Sequence, residues 1–189
     1  VRCFESAEVV HVMGGVNPVK DIELIDTELI LADLDVLVSA NDKLKKQAKS
    51  GEKTAILKNR TIEKFIESLS KGIPARKVVL SKEEQDAIKE FNLLTQKSVI
   101  YVANVEEAAV HTGNKHVKAL MNLVKDEGAE VVMVCAAIEA QIAELESVED
   151  RKAFLAEYGL EESGLYKLIH AAYHLLDLIT YFTAGVQEV

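Results

Sequence analysis

Two short β-branched apolar runs, Ser98-Val99-Ile100-Tyr101-Val102-Ala103 and Glu130-Val131-Val132-Met133-Val134-Cys135, constrain this chain more than any other feature. Both are almost continuously apolar and do not alternate, as expected of strands covered on both faces. The residues between them, 114–125, carry a helical pattern that Gly128 closes. Strand, helix, strand at this spacing predicts a βαβ unit of a buried parallel sheet. The chain has 189 residues, 49% of them apolar and 28% charged, enough for one packed domain or a domain plus a fragment.

Helices are expected elsewhere. Trp is absent, there are five Phe, five Tyr and two Pro, and this favours helix. Asn17-Pro18 predicts a helix start, with Asn as the cap and Pro at the first helical position. Apolar residues recur densely from Ile22 to Leu37 and thin out from Ser39 to Arg60, so the later stretch is expected to project into solvent. Ser50-Gly51 breaks the pattern, and Ile62, Phe65, Ile66 and Leu69 restore it up to Gly72 and Pro74, which predicts an antiparallel helical hairpin. Ser81 with Glu84 forms a capping-box signature for a helix reaching about Thr95. Further helices are predicted over 149–158, capped by Ser147 and stopped by Gly159, and over 163–178.

The longest apolar run, Val131–Ile138, has eight residues, against about 18 for a membrane-spanning helix. No membrane association is expected. With only Cys3 and Cys135 and no leader-like start, a disulfide framework is excluded and a reduced, cytoplasmic setting fits. Both termini read as the interior of a longer protein: Val1-Arg2-Cys3-Phe4 resembles a strand in progress, and Tyr181–Val189 a strand begun.

The formal net charge is −9, but it is unevenly spread. Between Lys43 and Lys77 stand eleven basic and three acidic residues, a local balance of +8 against −17 elsewhere. A basic arm on an acidic body suits a polyanionic partner such as RNA, with Lys43, Lys45, Lys46, Lys49, Lys53, Lys58 and Arg60 as the contacting candidates. No aromatic residue lies among these seven, so phosphate contact is favoured over base stacking. A solvated hairpin kept soluble by its lysines is the plainer alternative.

Ligands of open parallel sheets bind beyond the carboxyl ends of the strands. There the sequence offers Asn104-Val105-Glu106-Glu107 after the first run and Cys135-Ala136-Ala137 after the second. Thirty-one positions part Asn104 from Cys135, one crossover, so the two loops are expected side by side. An Asn amide both donates and accepts, as a purine edge requires, and small residues let main-chain N–H groups approach a base.

Asn104-Val105-Glu106-Glu107 resembles the Asn-x-x-Glu base-recognition motif of the YchF-type, or Obg-like, ATPases, and Cys135-Ala136-Ala137 sits where related GTPases carry Ser-Ala-Lys. Val1–Glu5, Asp21–Leu29, Leu155–Leu165 and Thr180–Gly185 are also similar to that family, so the likeness covers nearly the whole chain. The fold this implies is α/β, the carboxyl half of a Ras-like P-loop NTPase domain with an inserted antiparallel helical hairpin. Its parts would be a nucleotide-domain remnant over 1–23, a helical, coiled-coil insert over 24–95, the carboxyl half over 96–179 and the start of a TGS domain over 180–189. The resemblance implies a base pocket of Asn104, Val105, Glu107, Cys135, Ala136 and Ala137. It also implies ATP preferred to GTP, Mg²⁺, and the ribosome as partner; the local +8 makes the basic arm the candidate ribosome-facing part. Guanine specificity is weakened on chemical grounds as well. The usual Asp, which accepts from guanine N1–H and the 2-amino group, is replaced by the longer Glu107, and the base-stacking Lys by Val105.

No G-x-x-x-x-G-K-[ST] stretch occurs: Gly14-Gly15 is followed by Val16-Asn17. Phosphoryl transfer depends on gripping phosphates and metal, so no catalytic residue is expected here, no hydrolysis by this chain alone, and neither ATP nor Mg²⁺ bound to it. His170 and His174 lie four apart but lack a third ligand, His111 and His116 give no ligand geometry, and no metal site is expected. Cys3 and Cys135 read as buried, inert thiols. An exposed sheet edge predicts self-association or disorder over 1–16. A stand-alone RNA- or protein-binding helical module, indifferent to nucleotide, is the alternative reading.

Overall fold

The computed structural model describes residues 1–6, 14–49 and 51–184. Its elements in chain order are α1 (Pro18–Ala48), α2 (Lys53–Ser70), α3 (Lys82–Ile88), β1 (Ile100–Asn104), α4 (Lys115–Val124), β2 (Glu130–Val134), α5 (Ala136–Glu144), α6 (Val148–Glu157) and α7 (Gly164–Leu175). They fall into two compact units, 20–98 and 1–19 with 99–189.

In the α/β unit, β1 and β2 pair in parallel from Ile100 opposite Glu130 to Asn104 opposite Val134. The crossover carries α4, whose Asn114 cap accepts from the His116 and Val117 N–H groups at 2.9 and 3.1 Å. Gly128, at φ +65°, turns the chain into β2. On the other side of β1 the extended start of the chain adds a parallel bridge from Arg2 to Asn104. Cys3 N–H donates to the Asn104 carbonyl at 2.8 Å, and Asn104 N–H to the Val1 carbonyl at 2.9 Å. β1 is therefore bordered on both sides, with Tyr101 and Ala103 buried.

In the helical unit, Gly51, at φ +84°, stands between α1 and α2, and Lys45 of α1 faces Glu63 of α2. Leu37, Ile62, Phe65, Leu69, Ile88 and Leu93 form its core. The stretch 24–95 falls within this unit.

Three expectations need correction. The helix opened by Ser81 stops at Ile88 and does not reach Thr95, giving way to two 3-10 turns around Asn92, which is left-handed at φ +45°. Left-handed Asn92 takes the chain out of the helical path, and Asp33 of α1 fixes the turn that follows: its carboxylate accepts from Leu94 N–H, Thr95 N–H and Thr95 Oγ at 2.8, 2.8 and 2.7 Å. Secondly, Cys135-Ala136-Ala137 is not a loop: the strand ends at Val134, and α5, an element not foreseen, starts at Ala136. Thirdly, residues 180–184 form no strand, and Tyr181 and Phe182 are exposed, with no neighbouring strand in the described residues to complete a ladder. The remainder of the stretch 180–189 and, from the stretch 1–16, residues 7–13 lie outside the described residues.

Candidate functional site

The end of β1 and the start of α5 meet at one rim. Asn104, the last residue of β1, turns its side chain toward α5, and Oδ1 accepts from the Ala136 N–H at 3.1 Å. That bond satisfies a helix N–H which has no intrahelical partner. It also fixes the amide's orientation, leaving Nδ2 as the group able to donate to a ligand.

Next to it lies a pocket of about 530 Å³, lined on one side by Asn104, Val105 and Glu107 and on the other by Cys135, Ala136 and Ala137. All six candidates from sequence thus come together, but unequally. Val105 and Cys135 are buried, and Val105 N–H is committed to the Val134 carbonyl at 2.9 Å, so it has no donor to spare for a base. Ala136, Ala137 and Glu107 are exposed at the mouth.

Phe4, Ser6, Glu106 and Ala108 complete the lining and were not singled out from sequence. Phe4 is held by Arg2, whose guanidinium stands 4.8 Å from its ring centre and whose Nε donates to its carbonyl at 3.0 Å. Glu106 turns away from Glu107: both its oxygens accept from Asn114 Nδ2 at 3.1 Å, and the same amide donates to the Cys3 carbonyl at 2.6 Å. Asn114 therefore ties the first strand, the base-side loop and α4 together. Tyr158 also belongs to this neighbourhood. Desolvation, then the carboxylates of Glu107 and Glu157, then Cys135 hold its phenol above the ordinary value. No motif in the sequence announced it.

The histidines are otherwise engaged or exposed. His111 Nε2 donates to the Tyr158 carbonyl at 2.7 Å, His116 faces Glu5 at 3.4 Å, and His170 and His174 are exposed residues of α7. Among the described residues no three His, Cys, Asp or Glu side chains converge to hold a metal, and no helix is long and apolar enough to cross a membrane.

The basic candidates lie in the helical unit. Lys45 pairs with Glu63 at 3.6 Å and Lys58 with Glu90 at 2.9 Å, so their charge is partly answered. Lys43, Lys46, Lys49 and Lys53 are exposed around the turn, and Arg60 is exposed on α2.

No family model matches the chain. Curated relatives do. Over 189 residues the chain is 49% identical to a protein of Haemophilus ducreyi and 47% identical to one of Escherichia coli O157:H7, and over 191 residues 44% identical to one of Bacillus subtilis. Each of the three is named ribosome-binding ATPase YchF and is covered over 52% of its own length. The chain thus spans about half the length of the curated relatives it matches. A solved structure, that of the Schizosaccharomyces pombe YchF GTPase, superposes with a TM-score of 0.81 at 28% identity, covering 98% of this chain and 51% of that one. With all of its residues aligned to such relatives and its backbone matched to that structure, the chain belongs to the YchF family.

Proposed function

We propose that these residues form the base-reading half of a nucleotide-binding domain in a translation-associated, cytoplasmic ATPase that binds the ribosome. The α/β unit acts as the carboxyl half of a Ras-like P-loop domain. Asn104 Nδ2 donates to a purine N7, and the main chain around Ala136 faces the base edge. The 20–98 unit serves as an inserted helical arm whose lysines meet ribosomal RNA. The observation that supports the reading best is the Asn104–Ala136 hydrogen bond at the mouth of the pocket. ATP is favoured over GTP because a carboxylate at Glu107 gains nothing from adenine, which has no N1–H and no 2-amino group, and is set one methylene too far for guanine. No G-x-x-x-x-G-K-[ST] stretch lies in these 189 residues, so hydrolysis by them alone is not expected.

The test is nucleotide binding by a chain of the relatives' full length carrying this stretch. Asn104→Ala is expected to weaken ATP and GTP alike by about tenfold, the worth of one buried hydrogen bond to the base. Glu107→Asp is expected to raise GTP affinity relative to ATP. Unchanged binding in Asn104→Ala overturns the base-pocket reading. The arm is tested separately by co-sedimentation with ribosomes. Reversing Lys43, Lys46, Lys49 and Lys53 to Glu is expected to reduce binding by tenfold or more and to flatten its salt dependence. Undiminished co-sedimentation rejects the arm as the contact and leaves the base pocket untouched.

A further inference from the structure

The sheet has a second border, at β2, and it is open. Val134 gives its carbonyl to Val105 N–H, so its main chain faces β1. The N–H and C=O of one strand residue point the same way, and the direction alternates from residue to residue. Glu130 and Val132 therefore face β1 as well, while Val131 and Met133 turn both main-chain groups outward. Among the described residues no strand takes them up. The outer edge also lacks the lysine or proline with which exposed edges are commonly blunted.

Alongside this border runs a groove of about 750 Å³ between β2 and α7. Its strand side includes Val131 and Met133, and its helix side Lys167, His170, Ala171 and His174. Lys167, His170 and His174 follow the three-and-four spacing that places them on one stripe of α7. The acids of the groove stand at its ends: Glu162 precedes α7 and Glu130 opens β2. Lys167 and His170 thus line its middle without an acid between them.

We propose that this groove takes an extended, acidic segment of a partner protein, which joins the sheet at Val131 and Met133 and sets carboxylates opposite Lys167 and His170. The main-chain pattern demands a peptide, since each outward residue offers a donor and an acceptor together. A phosphate backbone supplies acceptors alone and leaves the Val131 and Met133 carbonyls unanswered. Alternation along the added strand then puts every second side chain against α7, so a sequence with acids at alternate positions fits the stripe.

The experiment uses two labelled ten-residue peptides, one alternating threonine and glutamate, the other threonine and lysine. They are titrated against the 189-residue chain and against a chain of the relatives' full length. The glutamate peptide is expected to bind at least tenfold more tightly in both, and to slow amide exchange at residues 131 and 133. Val131→Pro removes one outward donor and leaves the β1 ladder in place; it is expected to weaken binding at least fivefold with an unchanged far-ultraviolet spectrum. The double variant Lys167→Glu/His170→Glu is expected to reverse the preference between peptides, a readout independent of the proline. Equal binding of the two peptides, or protection elsewhere, overturns the proposal. So does exchange at 131 and 133 that is already slow before peptide is added. If that slowness comes with a concentration-dependent dimer lost in Val131→Pro, a second copy covers the edge; if it occurs only in the longer chain, the rest of that chain does.

Discussion

The two units handle their polar and apolar groups differently. In the helical unit, the buried Asp33 carboxylate answers three donors of the Leu94–Thr95 turn, and Thr95 Oγ in turn accepts from Ala75 N–H at 3.0 Å. Leu37, Ile62 and Phe65 are fully buried in one contiguous cluster whose members all belong to this unit. The α/β unit has two strands and a bridge, and α7 buries Gly164 and Ala171 while Leu165, Tyr166, Ile169, Tyr173 and Leu176 stay exposed. The helical unit closes one contiguous core and leaves its lysines outside, although the buried Oδ1 atoms of Asn41 and Asn59 accept no hydrogen bond and α1 exposes Leu24, Ile25, Leu31, Val36 and Val38; the α/β unit leaves a rim and an open sheet edge. Surface chemistry can therefore change on the first without touching its fold, whereas on the second chemistry and fold share the same residues.

The comparison breaks most readily at Phe65. Phe65→Ala empties the centre of the helical core and is expected to cost about 3–5 kcal/mol. Amide exchange should accelerate across 20–98 and stay unchanged in β1 and β2, because every core neighbour of Phe65 lies in 20–98. Equal acceleration in the strands would show that the units do not stand apart energetically. Asp33→Ala comes next. It strands two main-chain donors and one hydroxyl in a buried place, an expected loss of about 3 kcal/mol, seen first as faster exchange at Leu94 and Thr95. If Asp33→Ala were silent, the Leu94–Thr95 turn would have to be held by Asn92 and its neighbours alone.

These same residues show what sequence could and could not announce. The Ser81–Glu84 capping box is visible because both of its hydrogen bonds close within three residues, and the structure contains both. The turn that follows α3 is not visible, since the carboxylate that fixes it at Leu94 lies sixty-one residues earlier, on α1. A parallel crossover between two apolar strands makes the approach of Asn104 to Ala136 foreseeable. Val131–Ile138 hides the change from strand to helix because apolar residues suit both a buried strand and the buried side of α5. Phe4 and Ser6 reach the pocket only through a bridge of Arg2 to Asn104, a pairing that no local pattern encodes. Asn114 is legible as a helix cap but not as the clamp on Cys3, 111 positions away. Likewise, charge counting finds the basic arm but not which lysines are already paired, because Glu90 reaches Lys58 from outside the arm.

The smallest expected effect concerns pH, and it sharpens the same comparison. Each unit holds a carboxylate kept below its ordinary value by a lysine: Glu84 by the Lys64 hydrogen bond, then the Ser81 N–H, and Glu5 by the Lys115 hydrogen bond, then that of His116. A folded-state value below the unfolded one means that the ionised form is favoured by folding. The stabilisation is therefore whole above the ordinary carboxylate value and is lost as pH falls through the lowered one. The two groups differ in setting, since the Glu84 side chain is 11% exposed and that of Glu5 69%. High salt should thus erase the acid-dependent loosening at residues 1–6 and α4 while leaving that at the start of α3 largely in place. Site-resolved exchange between pH 3 and 5, at low salt and at 1 M salt, measures this, with Glu84→Gln expected to remove the salt-resistant part alone. Equal screening at both sites would mean that the Ser81 capping box is as open to water as the Glu5 pair, and the helical unit would lose its claim to a closed polar interior at that end.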